Sequence, residues 1–293
     1  MRESSARALL QLRAKKLDMT LHAFLDTEYG RFGDVRLRSI LRKGADLELR
    51  RGPAAETPLH VAVRRCRLRA VQQLVRAGAK INALNAYQKT AYAHATRRGF
   101  TAIATYLTDQ GASTSLTEAD QLAVAMSSGT EAEARKILSA SPNLAHTGNP
   151  GEDRLLADMA GRNADWPVQL LINAQASLTT PGLDGGTPLH QAAWFGQLNH
   201  VHMLIAAGAP LEVWCTDHTS SPLGWAVHGS RESGGASSRQ EVYTAIVTTF
   251  LDAGARLYYA NDDTDAYYRR LLRQASRSVR VLLREAWKTH EVA

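Results

Sequence analysis

The sequence is poor in cysteine, the residue that covalent cross-linking requires. Its 293 residues include only two cysteines, Cys66 and Cys215, too few for a disulfide framework. No run of eighteen or more apolar residues occurs, so no membrane span is expected. The first residues pass from Leu9-Leu10 straight to Arg13, Lys15 and Lys16, without the apolar stretch and small-residue site of a secretory leader. A cytoplasmic protein with no membrane association is the expectation. Reactive constellations are missing too. Gly234-Gly235 has no following Lys-Ser/Thr, so it is not a phosphate-binding loop. Cys215 and His218 form a lone Cys-x-x-His, far short of a four-ligand zinc site, and His200 and His202 point to different faces of a helix. No nucleophile–base pair can be assembled, which predicts a protein that is not an enzyme and carries neither cofactor nor metal.

What the chain does hold is material for a core, with 44% hydrophobic residues against 22% charged. Its net charge of +7 is unevenly spread. Residues 1–100 hold 21 Lys/Arg against 8 Asp/Glu, whereas residues 101–268 hold 7 against 18. Such asymmetry can steer a charged partner or reflect complementary packing.

The organising feature is a repeat. Thr57-Pro58-Leu59-His60 recurs as Thr187-Pro188-Leu189-His190, and each is followed 21 positions after its Thr by Gly-Ala, at Gly78-Ala79 and Gly208-Ala209. In that frame Thr90 leads to Gly111-Ala112 and Ser221 to Gly254-Ala255, with weaker copies from Asp120 and Arg154 and an early one from Met19. The starts are therefore 19, 57, 90, 120, 154, 187 and 221. Within a copy, proline suits the first helical turn, where its missing N–H costs nothing. Leu59, Ala62 and Val63 make one apolar stripe and Val71, Leu74 and Val75 a second, with a break at Cys66 and a closing glycine at Gly78. Neither helix can bury its stripe alone, so the copies must stack.

This motif set, with a period near 33, resembles the ankyrin repeat over roughly residues 19–256. The segment Ser221–Ser230 is similar to a final repeat of uncharacterised bacterial ankyrin-repeat proteins, which implies a bacterial source. The expected fold is an all-α ankyrin-repeat solenoid of about seven helix–turn–helix units with hairpin loops. A capping helix is expected over 1–18 and another over 257–293. Within the second, Arg269, Arg273, Arg277, Arg280 and Arg284 form a basic stripe opposite an apolar face. Two copies carry insertions between their helices, around Asp26–Asp34 and, with about twelve extra residues of flexible composition, around Gly229–Arg239.

The resemblance implies a partner along the concave side, where the two positions before each central break face outward. These are Arg64 and Arg65, Arg97 and Arg98, Ser127 and Ser128, Gly161 and Arg162, Trp194 and Phe195, and His228 beside Val227. A surface grading from basic to aromatic is expected, its guanidinium forks matching carboxylates and its aromatics anchoring an interface. The expected function is a protein–protein interaction module, an adaptor, scaffold or inhibitor. It would be a monomer that binds an unidentified and acidic protein through Arg64, Arg65, Arg97, Arg98, Arg162, Trp194, Phe195 and His228. The rival reading is a nucleic-acid-associated protein that uses the basic N-terminal third. Against it, aromatics are not interleaved with the basic residues.

Overall fold

Thr57 stands extended ahead of a helix, and its own N–H and hydroxyl both meet the Nδ1 of His60, at 3.3 and 2.8 Å. That ring caps the helix start, Pro58 fills the first turn, and α2 (Pro58–Arg64) follows with Pro58 to Val63 all buried. The chain turns at Cys66, which takes the left-handed conformation, and enters α3 (Leu68–Arg76) with Ala70, Val71 and Leu74 buried. At its end the Gly78 N–H donates to Val75 O and the Ala79 N–H to Leu74 O, both at 3.0 Å, with Gly78 at φ +95°. The Gly-Ala signature is thus a helix stop that satisfies two orphan carbonyls. The same pair of bonds closes the helices before Gly111-Ala112, Gly208-Ala209 and Gly254-Ala255.

The computed structural model describes residues 21–30, 32–182, 184–215, 218–257 and 266–291. The expected capping helix over 1–18, and the first copy's start at Met19, lie outside these. Among the described residues the regular structure is helical, apart from one isolated bridge between Arg51 and Glu56. The chain forms two compact units, the first closing at Gly129 and the second opening at Thr130.

In the first unit a π-helical turn (Phe24–Glu28) precedes α1 (Gly33–Arg42), and α2 and α3 are followed by α4 (Ala91–Arg97), α5 (Thr101–Asp109) and α6 (Glu118–Ser128). The π turn, α2, α4 and α6 pack in succession as an inner row, and α1, α3 and α5 as an outer row. Between the rows lies a core that includes Phe24, Leu37, Leu59, Leu74, Ile103 and Leu107.

The second unit holds α7 (Glu131–Ala140), a short α8 (Pro150–Asp153), α9 (Leu155–Ala160), α10 (Asp165–Asn173), α11 (Pro188–Trp194) and α12 (Leu198–Ala206). It continues with α13 (Pro222–Glu232), α14 (Gln240–Asp252), α15 (Ala266–Gln274) and α16 (Arg277–Glu291). Its inner row is α9, α11, α13 and α15, and its outer row α7, α10, α12, α14 and α16.

Two expectations change here. The C-terminal cap is a helix pair, because α15 stacks on α13 and α16 on α14 in the same two rows. The chain breaks at Ser276, whose backbone N–H is drawn to Ser230 Oγ at 3.0 Å, so a single helix cannot run through. The fourth copy starts at Thr117, three residues before the expected Asp120. Thr117 Oγ1 accepts the Asp120 N–H and the Asp120 carboxylate accepts the Thr117 N–H, so Asp120 does the capping that histidine does in other copies.

Candidate functional site

Histidine in the tetrad links neighbouring copies. His60 Nδ1 accepts the Thr57 N–H, so its Nε2 carries the proton and donates to Lys89 O at 3.0 Å. His190 repeats this with Thr187 and Ser220 O, and His22 Nε2 meets Glu56 O at 3.1 Å. Burial holds His190 neutral, with its pKa lowered to about 4, and pushes His60 in the same direction.

In the first unit, three of the four expected arginines are committed to the fold. Arg64 meets both Glu56 and Asp26 at 3.0 Å, and its side chain is 10% exposed. Arg65 reaches Asp26 at 2.6 Å, while Arg67 donates to the Phe24, Leu25 and Asp26 carbonyls that end the π turn. Asp26 is raised by its burial but lowered further by Arg64 and Arg65, so it stays ionised. The arginines therefore fasten the inserted turn of the first copy, and their positive charge complements the carbonyl end of a helix.

Arg97 corrects the expectation most sharply. Its side chain is 2% exposed and lies against Asp120 at 2.8 Å, with Lys89 on the same carboxylate oxygen at 2.9 Å. A partner cannot reach it. Arg98 is half-buried at the expected place, over the Phe100 ring at 5.5 Å, and Arg65 keeps 32% of its side-chain surface exposed beside Asp26. The cations this unit exposes lie instead on or beside its outer helices and in the loops at Arg50, Arg51 and Lys80. Arg38, Arg42, Lys43 and Arg76 are exposed and carry no ion pair among the described residues.

The aromatic half of the expected site comes together in the second unit. Phe195 caps the end of α11 and leaves 43% of its surface exposed. It rests on Gly161, where a Cβ would come within 2.6 Å of the ring. Trp194, half-buried, stands edge-on to Trp225 at 6.0 Å and packs on His228 at 5.4 Å. Trp225 is buried, edge-on to His190 at 5.2 Å, and its indole N–H points at Cys215 Sγ at 3.2 Å. His228 is half-buried, and burial lowers its pKa. Arg162 is half-buried and donates to Asp158 O.

The insertion of the seventh copy holds this platform from behind. Arg239 donates to Phe195 O and Tyr243 to Trp194 O, both at 2.7 Å, satisfying carbonyls at the end of α11. Gly229 admits the close approach, since a Cβ there would lie 2.9 Å from Trp194 O. Sequence reasoning missed Asp26, Glu56, Asp120, Arg239 and Tyr243. Their partners lie between 8 and 49 residues away, so no local signal marks them, although Arg239 and Tyr243 lie within and just after a visible insertion.

No group of three or more His, Cys, Asp or Glu able to hold a metal ion occurs among the described residues, and no helix there is long and apolar enough to cross a membrane.

Comparison with known proteins agrees with the repeat. A family model described as ankyrin repeats in three copies matches residues 31–118, and a single ankyrin-repeat model matches 184–215. No curated protein matches. Among solved structures, the chain is similar to the ankyrin repeat domain of Bcl-3, described as a unique member of the IkappaB protein family, at 23% identity and a TM-score of 0.32. That match covers 69% of this chain and 91% of the other. It is also similar to the human ASB11 ankyrin repeat domain, at 18% identity and a TM-score of 0.34, covering 78% and 96% respectively. The tetrads and the Gly-Ala helix stops agree with the two matched segments, so the chain is built of ankyrin repeats.

Proposed function

We propose that the chain is a non-catalytic binding module, an adaptor, scaffold or inhibitor, whose protein partner seats on the inner-helix ends of the second unit around Phe195. Ankyrin repeats are in general protein–protein interaction modules. The observation that carries the reading is an exposed phenylalanine on a rigid base. Phe195 is 43% exposed, yet Gly161 lies beneath it and the Trp194–Trp225–His190 stack lies beside it. Aromatic anchors on pre-organised supports dominate interface energies because little entropy is lost on binding. Trp194, His228 and Arg162 flank it within the same unit. Arg64, Arg65 and Arg97 serve by holding the copies in place. The test compares proteins captured by the wild type with those captured by Phe195→Ala, checked for unchanged melting. Loss of a discrete species with Phe195→Ala supports the proposal, and an identical captured set removes it.

A second reading draws on the exposed outer cations Arg38, Arg42, Lys43 and Arg76, which suit a nucleic-acid backbone. Its signature is binding to generic DNA or RNA that weakens steeply between low and physiological salt. An absence of binding at low salt removes it.

A further inference from the structure

The twelve extra residues of the seventh copy build something. α13 runs on to Glu232, the chain turns, and a 3-10 turn (Ala236–Ser238) leads into α14. Gln240 Nε2 donates to Ser230 O and Ala236 O, both at 2.8 Å, and closes the insertion on itself. Ser230 Oγ then donates to Val227 O at 2.6 Å and accepts the Ser276 N–H at 3.0 Å. The insertion is thereby joined to the turn between α15 and α16. Between them lies a cavity of about 510 Å³, whose lining includes Arg231, Arg277, Arg280, Ser237, Ser278 and Gln240. No carboxylate lines it.

We propose that this cavity binds a phosphate monoester, offered either by a phosphorylated side chain or by a small free phosphate. Of the three guanidinium groups on one cavity only Arg231 is paired with a carboxylate among the described residues, which leaves an excess of positive charge, and their forked donors match phosphate oxygens. Arg280 is pre-aimed, because Leu272 O and Ala275 O accept from its Nε and one terminal nitrogen at 2.9 and 3.1 Å. A guanidinium has five N–H donors, so most of them stay available. Arg231 is steadied in the same way by Arg273 O at 3.0 Å, and Glu232, the nearest acid, takes its Nε at 2.8 Å. Arg277 is exposed and has no ion pair among the described residues. The Ser237 and Ser278 hydroxyls add donors for a third oxygen, more than a carboxylate could use. The volume lies within the range of small-ligand sites.

The test titrates the full chain with inorganic phosphate, O-phosphoserine and a phosphoserine peptide beside its unphosphorylated form, using calorimetry. Saturable binding of the phosphorylated probes is expected, weakened about tenfold or more by Arg277→Ala and again by Arg231→Ala. Arg277 is exposed, so its variant keeps the fold even if Arg231→Ala does not. Equal affinity for phosphate and phosphoserine identifies a free anion as the ligand, and a tighter phosphopeptide identifies a partner's side chain. Non-saturable binding overturns the proposal, as does binding that Arg256→Ala, outside the cavity, weakens as much as Arg277→Ala. Phe195→Ala leaves phosphate binding unchanged, so this site and the aromatic platform fail or stand separately.

Discussion

Replacing Asp120 by asparagine is the most direct test of why Arg97 lies inside. Asparagine keeps the shape and an oxygen that can still accept the Thr117 N–H, so the helix cap survives. What it removes is the charge that Arg97 and Lys89 share, with all three side chains at most 3% exposed. Removing one partner from a buried ion pair costs about 3–5 kcal/mol, because the remaining charge stays desolvated. Arg97→Met is the contrasting change, since it leaves Lys89 and Asp120 as a one-to-one pair. Because Arg97→Met removes the second cation and leaves the carboxylate paired, a loss smaller than that of Asp120→Asn is expected. Urea unfolding followed by far-UV circular dichroism, at constant denaturant slope, gives both values. Equal losses for the two variants, or a loss below about 1 kcal/mol for Asp120→Asn, would refute the shared-carboxylate account. The pH dependence is fixed too. Burial raises the Asp120 pKa, but Lys89 and Arg97 more than offset it and hold it below the ordinary carboxylate value of 3.8. Its contribution is therefore complete above about pH 4 and disappears as pH falls through the lowered folded value.

Other expectations concern single positions. His190 takes its proton near pH 6.5 when unfolded but only near 4 when folded, so its contribution is complete above about 6.5 and lost toward 4. That shift amounts to about 3 kcal/mol, and urea midpoints that stay flat between pH 7.5 and 4.5 would contradict it. Gln175 holds φ +60° at a helix stop where five sister copies have glycine, so Gln175→Gly should stabilise by about 1 kcal/mol in the same assay. Gly229→Ala sets a Cβ against Trp194 O and should cost about 1–3 kcal/mol, read as a lower melting temperature. Gly161→Ala displaces only the exposed Phe195 ring, so it should weaken partner capture while changing stability by less than about 1 kcal/mol.

Much of the fold was legible because its punctuation is local. Thr-Pro-Leu-His and Gly-Ala each mark bonds made within six residues, so their spacing reports helix starts and stops directly. The fourth copy was misplaced because Asp120, a carboxylate, does there the capping done elsewhere by an imidazole. The helix pair at the C-terminus was hidden for another reason. An apolar stripe that continues through Ser276 carries no sign that Ser230, far upstream, draws the chain out of register. The site was legible in part. Register placed Phe195 and Trp194 on one helix end, but it cannot say whether an arginine faces water or a distant carboxylate. Arg64, Arg65 and Arg97 were therefore read as surface when Asp26, Glu56 and Asp120 claim them.

The histidine links between copies bear on how such a chain can change its length. His22, His60 and His190 each donate to a carbonyl just ahead of the following copy, at Glu56, Lys89 and Ser220. Donor and acceptor are therefore offset by about one period, and an in-frame duplication of residues 57–89 would recreate every such bond at the new joint. Asp120 instead pairs with Lys89 and Arg97 of the copies before it, and Asp153 bonds back to Thr147 and Gly148. The middle of the chain would thus resist splicing where the tetrad-bearing copies permit it, leaving lineages free to lengthen on either side of a fixed centre.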